Sequence, residues 1–199
     1  MKIAIFASGG GSNAAEIIKT LHNYIKPEIA SIAVVVSNNE KAAVKNVAAN
    51  YDIPFEIVSL KNKNDDEQAY AYLEILNDYE IDFVVLAGYL KKLPGRITNN
   101  PNRKKIINIH PALLPAYGGA GMYGKYVHEA VIAARETESG ITIHYVDEVY
   151  DHGRIIFQAK CAVEKDDTAE MLAQKILQLE HAHYTKIIAE TILSQIAVK

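Results

Sequence analysis

Short apolar runs and amphipathic stretches alternate through the first half of the chain. Residues 2–7 are mostly apolar and are stopped by glycines, the pattern of a parallel strand buried on both faces. Ile17, Ile18 and Leu21 recur at helical spacing and predict a helix from residue 13 to about residue 24. A second strand is predicted over 31–37, a second helix over 40–51 and a third strand over 55–58. The polar residues 61–67 read as a turn. A helix through 70–79 then leads to a fourth strand at 82–87. Strand and helix alternating in this way predict an α/β fold: a Rossmann-like, mostly parallel twisted sheet with right-handed crossovers and helices on both faces.

The second half has a different rhythm. Strands are predicted over 105–108, 140–146 and 154–163, with a helix around 126–135 between the first two. The segment from 146 to 154 is too short for a helical crossover, so the last two strands should pair antiparallel. Asp167-Thr168-Ala169-Glu170 resembles a capping box and should open a long C-terminal helix. No internal repeat or linker interrupts the 199 residues, and one domain is expected.

Composition narrows the class. Hydrophobic residues make up 49% and charged residues 23%, values of a chain that folds. With a formal charge of -3, the only basic run, Arg103-Lys104-Lys105, is too short for a nucleic-acid surface. A single cysteine, Cys161, excludes an internal disulfide and suits a reducing compartment. The apolar start at residues 1–6 is too short for a signal-peptide core, and no apolar run reaches membrane-spanning length. A cytoplasmic protein without membrane contact is expected.

Candidate chemistry sits at three places. Asn108-Ile109-His110-Pro111-Ala112-Leu113-Leu114-Pro115 follows the apolar Ile106-Ile107, and its prolines force an extended exit from that strand. With Tyr150-Asp151-His152-Gly153 it supplies the amide, imidazole and carboxylate of an acyl-transfer site. Ser8-Gly9-Gly10-Gly11-Ser12-Asn13 joins the first strand to the first helix. Glycines and free N–H groups there favour a phosphate, and Ser12 and Asn13 can donate to it or cap the helix. No Gly-Lys-Ser/Thr follows, so this is not a Walker A loop. The second strand ends Ser37-Asn38-Asn39, without the acid that a dinucleotide ribose needs. The turn therefore reads either as a monophosphate site or as a tight turn with no ligand.

These three segments, with Leu86-Ala87-Gly88-Tyr89, resemble the phosphoribosylglycinamide formyltransferases, which transfer a formyl group from folate in purine synthesis. The resemblance runs from Ile3 to Glu180-His181-Ala182-His183-Tyr184. It implies 10-formyltetrahydrofolate as co-substrate, glycinamide ribonucleotide as acceptor and no metal. The partners implied are these small molecules, with a monomer or homodimer expected. It divides the chain into a nucleotide-binding half, 1–100, and a catalytic and folate-binding half, 101–199. Relatives that formylate initiator tRNA or hydrolyse formyltetrahydrofolate carry a further domain that this chain is not expected to have.

Residue by residue, the resemblance implies that Gly11, Ser12 and Asn13 hold the ribonucleotide phosphate. Tyr89, Leu90, Lys91, Lys92 and Leu93 would embrace the folate. Asn108 would contact the formyl oxygen, beside the folate, and His110 would transfer protons. Asp151 would raise the histidine's pKa, and Glu180 and Pro111 would face the acceptor. His144 would support Asp151, or is simply a packed, hydrogen-bonded histidine. Where the family carries an arginine for the outer folate, this chain has Glu67, which would repel a folate glutamate if it faced one. The glycine-rich segment 116–126 is longer than the common family pattern and is either a surface excursion or a lid over the substrates. Hydrolysis of formyltetrahydrofolate and a non-catalytic nucleotide-binding domain are the competing functions. The seven histidines offer no His-Glu-x-x-His spacing or cysteine pair that would suggest a metal.

Overall fold

A computed structural model describes residues 1–99 and 105–197, so the Arg103-Lys104 part of the basic run lies outside the described residues. Seven strands form one sheet: β1 (Lys2–Phe6), β2 (Ser31–Ser37), β3 (Phe55–Ile57), β4 (Phe83–Leu86), β5 (Lys105–His110), β6 (Glu138–Tyr145) and β7 (Ile155–Ala162). Their spatial order is β3-β2-β1-β4-β5-β6-β7. The chain winds outward from β1 to β3, returns to the other side of β1 as β4, and winds outward again. The reversal between β1 and β4 opens a crevice at the carboxyl ends of the strands, the place where such sheets take ligands.

The alternation of side chains explains why both faces are covered. Ile3, Ile5, Phe83, Val85 and Ile107 belong to one buried cluster, and Ala4, Phe6, Val84, Leu86 and Ile106 to the other. Each central strand therefore needs apolar residues at nearly every position, which is why it reads as an unbroken apolar run. Helices α1 (Ser12–Thr20), α2 (Val44–Asn50), α3 (Asp65–Asp78), α4 (Gly95–Thr98), α5 (Lys125–Ala133) and α6 (Ala169–Ile196), with a short 3-10 turn at Leu21–Asn23, complete the described elements.

The expected mostly parallel sheet is present, and β6 is the strand that runs against its neighbours. It pairs antiparallel with both β5 and β7. Several boundaries differ from expectation. The helix expected from residue 70 begins at Asp65, because Asn64 and Glu67 form a reciprocal capping box. The helix expected from residue 40 begins at Val44, because the Asn39 side chain accepts from the Lys41 N–H at 3.0 Å and holds a turn there. At α6 the cap is Thr168, one residue later than a box on Asp167 would need; its side chain accepts from Met171 N–H at 3.2 Å. The strand expected to stop at Asn108 continues to His110. No helix among the described residues is long and apolar enough to cross a membrane.

Candidate active site

The β5 end places two of the expected groups side by side. Ile107 and Ile109 point into one core, so Asn108 and His110 share the opposite face with Ile106. His144 stands opposite Asn108 in the β5–β6 ladder. Asp151 arrives from the loop between β6 and β7, in a left-handed conformation with φ 53°. The Gly153 that follows is a packing requirement, since a Cβ there would lie 1.8 Å from the Tyr145 carbonyl oxygen. His110 Nδ1 is 3.5 Å from Asp151 Oδ2, and His144 Nε2 is 3.6 Å from Asp151 Oδ1.

Hydrogen-bond partners fix how these rings are protonated. A carbonyl oxygen can only accept, so His110 Nε2, 2.8 Å from Tyr117 O, carries hydrogen. In the neutral ring the lone pair is then on Nδ1. His144 Nδ1 likewise donates to Tyr145 O at 2.9 Å, which leaves its Nε2 to accept from Asn108 Nδ2 at 3.2 Å. Asp151 Oδ2 accepts from Gly119 N–H at 3.0 Å.

Asp151 acts on His110 in the direction the resemblance implies, pulling its pKa upward. Burial lowers the imidazole pKa and outweighs the upward pulls of Asp151 and the Tyr117 carbonyl, so the net direction is down. For Asp151 the balance tips the other way. Burial raises its pKa, but its contacts with His144, His110 and Gly119 N–H together hold it below the usual carboxylate range. The resting pair is therefore a neutral imidazole beside a carboxylate.

These groups face a cavity of about 410 Å³, large enough for a small organic ligand. Of the expected residues, Tyr89, Leu90, Lys91, Lys92, Leu93, Pro111, Asn13 and Glu180 all line it, with Asn108, His110, His144 and Asp151. Tyr89 turns its hydroxyl away, onto buried Tyr72 at 2.8 Å. Gly11 and Ser12 are not among the lining residues. Gly11, with φ 78°, is the N-cap of α1, and neither it nor Ser12 nor Asn13 caps that helix with a side chain. Asn13 Nδ2 instead donates to Glu180 Oε2 at 2.8 Å, tying α1 to α6. Burial raises the Glu180 pKa, against a smaller lowering by Asn13.

The chain's own pattern places it among known proteins. The sequence pattern of the formyl transferase family matches residues 1–188. The chain belongs to the formyl transferase family. A phosphoribosylglycinamide formyltransferase of Bacillus subtilis is 39% identical over 192 residues, covering 95% of this chain and 93% of that protein. A chloroplastic one of Vigna unguiculata is 40% identical over 192 residues, 94% of this chain, but the chain spans only 59% of that relative's length. Among solved structures, a phosphoribosylglycinamide formyltransferase from Bacillus halodurans is 32% identical, with a TM-score of 0.85 over 96% of this chain and 95% of that one. Glycinamide ribonucleotide transformylase 1 from Symbiobacterium toebii is 30% identical, with a TM-score of 0.86 over 98% and 88% of the two chains.

Within this formyl transferase, the cavity wall draws on more than the motif residues. Gly119, Gly121, Met122, Tyr123 and Gly124 line the cavity, so the glycine-rich segment is part of the wall and not a plain surface excursion. His128 on α5 also lines it, buried, with Nδ1 unpartnered among the described residues. Its pKa is lowered by burial and by His110. Only the one-sided apolar spacing of Val127 and Val131 could have hinted that α5 turns a histidine inward. Glu67 is absent from the lining, because its carboxylate accepts from Asn64 N–H at 2.8 Å to cap α3. Among the described residues no group of three or more His, Cys, Asp or Glu side chains is placed to hold a metal ion.

Proposed function

We propose that this protein transfers the formyl group of 10-formyltetrahydrofolate to the amine of glycinamide ribonucleotide, a step of purine synthesis. The observation that carries this reading is the convergence of Asn108, His110 and Asp151 on one cavity with two different ends. One end has the Asn13–Glu180 pair beside the first turn of α1, which has no acidic residue and no side-chain cap. Free N–H groups and the helix dipole suit the phosphate of the ribonucleotide there. The other end is walled by Leu86, Tyr89, Leu93 and Val146 and suits a flat pterin. Both halves of the chain thus serve one site in one domain.

The folate supplies an electrophilic formyl carbon bonded to nitrogen. His110 Nδ1, whose lone pair is free while Nε2–H is held by Tyr117, takes the proton that the attacking amine loses. It then returns that proton to the departing folate nitrogen. Depression of its pKa by burial keeps the ring neutral and ready to accept. Asp151, 3.5 Å away, stabilises the imidazolium once it forms. Asn108 spends one amide hydrogen on His144 and has the other for the formyl oxygen, where charge develops. The proposed substrates are small molecules and the setting is cytoplasmic, with the protein acting as monomer or homodimer.

The test is a mixing experiment. Tetrahydrofolate should appear from 10-formyltetrahydrofolate only when glycinamide ribonucleotide is present, without added metal or ATP. Equal release without the acceptor would make the protein a hydrolase, and no release in either case would leave a binding domain.

A further inference from the structure

We infer that Tyr117, through a left-handed backbone, is the positioning residue that decides which nitrogen of His110 carries the mobile proton. The inference rests on the proposed reaction for its kinetic consequence only. Tyr117 has φ 56°, in the region that residues other than glycine, asparagine and aspartate rarely adopt. Its carbonyl is the acceptor 2.8 Å from His110 Nε2. Two residues later, Gly119 N–H reaches Asp151 Oδ2 at 3.0 Å. Between them Gly118 has no room for a side chain, since a Cβ would lie 2.5 Å from Leu114 Cδ2 and 3.2 Å from Asp151 Cβ. One tight turn therefore grips the histidine with a carbonyl and the aspartate with an N–H.

The direction of the carbonyl follows from the left-handed residue. An extended or right-handed Tyr117 would rotate the 117–118 peptide and take the acceptor from His110. The side chain adds support: the ring packs on the core, and the phenol donates to Glu136 Oε1 at 2.7 Å. That bond is exposed, so the backbone conformation and not the phenol is the operative feature. Besides Tyr117 O, the groups acting on His110 are Asp151 from the β6–β7 loop, His144 from β6 and His128 from α5. Of these, only the carbonyl dictates a tautomer, because the contact of Asp151 Oδ2 with His110 Nδ1, at 3.5 Å, is too long for a strong bond.

The experiment needs no substrate for its first arm. Nitrogen-15 NMR of histidine-labelled, ligand-free protein should show neutral His110 with hydrogen on Nε2 and none on Nδ1. Tyr117→Asn, which tolerates the left-handed region, should keep that tautomer and its titration midpoint, with kcat within about threefold. Tyr117→Val, which does not, should lose the Nε2 preference and titrate at lower pH, since an acceptor that favoured the charged ring is gone. Its kcat for formyl transfer should fall on the order of 10-fold or more while KM changes little. If Tyr117→Val does not fold, the wild-type spectrum and Tyr117→Asn still decide. Hydrogen on Nδ1 in the wild type, or Tyr117→Asn losing the tautomer, would overturn the inference. The expected spectrum with no formyl transfer would instead overturn the proposed reaction and leave the positioning role standing.

Discussion

Asn108 stands directly across the β5–β6 ladder from His144, with its amide nitrogen 3.2 Å from His144 Nε2. Because His144 Nδ1 is committed to the Tyr145 carbonyl, Nε2 of the neutral ring accepts, and this holds the Asn108 amide in one orientation. His144→Phe keeps the bulk and removes the acceptor. It should lower kcat by roughly 10-fold or more through the loosened amide, against at least ~100-fold for Asn108→Ala. The check is to compare kcat in both variants and in the double variant. If Asn108 works through its orientation by His144, the second loss should nearly vanish once Asn108 is gone.

The pH profile follows from the direction of the His110 shift. The base must be neutral, and burial places its folded pKa below the ordinary histidine value of ~6.5. Activity should therefore hold as pH falls through that ordinary value and drop only at lower pH. Asp151→Asn removes an upward pull, so the acid limb should move lower still, while kcat falls because the imidazolium loses its counter-charge. An acid limb that does not move would separate Asp151 from the proton-transfer step. His110→Ala should cost at least ~100-fold in kcat above that acid limb, where the wild-type ring is neutral.

Gly11 has two reasons to be glycine. Its φ is 78°, and a Cβ would lie 2.6 Å from Val44 Cγ2 and 3.1 Å from the Val44 backbone. Gly11→Ala should cost about 1–2 kcal/mol of stability and displace the start of α1. Steady-state kinetics should show KM for the ribonucleotide rising well above its wild-type value while KM for the folate stays close to its own. A parallel rise in both would mean a general distortion.

The succession of strands and helices, the two covered faces and the antiparallel pairing of β6 with β7 were legible because periodicity and connection length act along the chain; that β6 also runs against β5 was not. Asn108, His110 and Asp151 were legible as side chains of the right chemistry in a distinctive motif. Other features carry no such mark. The Tyr117 carbonyl and Gly119 N–H that hold the histidine and the aspartate are main-chain groups, which every residue has. His128 belongs to a helix whose inward face is set by packing. The start of α3 lies in a polar turn without apolar periodicity; Asn64 and Glu67, three apart, are the signal of its cap. The direction of the His110 shift depends on how much of the ring is covered, which motif chemistry alone does not reveal.

The glycine-rich wall should respond to ligand. Gly119, Gly121 and Gly124 have positive φ, and Gly119 is tied to Asp151. Bound ribonucleotide with a folate analogue should slow amide hydrogen exchange across residues 118–124 relative to the free protein. A short Gly-Ser replacement of this segment should increase loss of formyl groups to water. Unchanged exchange together with tight coupling in the replaced variant would reduce the segment to a fixed wall.

Formyl transfer to an amine is tested most directly by following the carbon itself. Folate carrying a carbon-13 formyl group is mixed with glycinamide ribonucleotide and the protein, and the label is located by NMR as tetrahydrofolate accumulates. One labelled formamide on the ribonucleotide is expected for each tetrahydrofolate formed, with loss of that product in His110→Ala. Label recovered as free formate, or a labelled ribonucleotide formed at an undiminished rate by His110→Ala, would contradict that expectation.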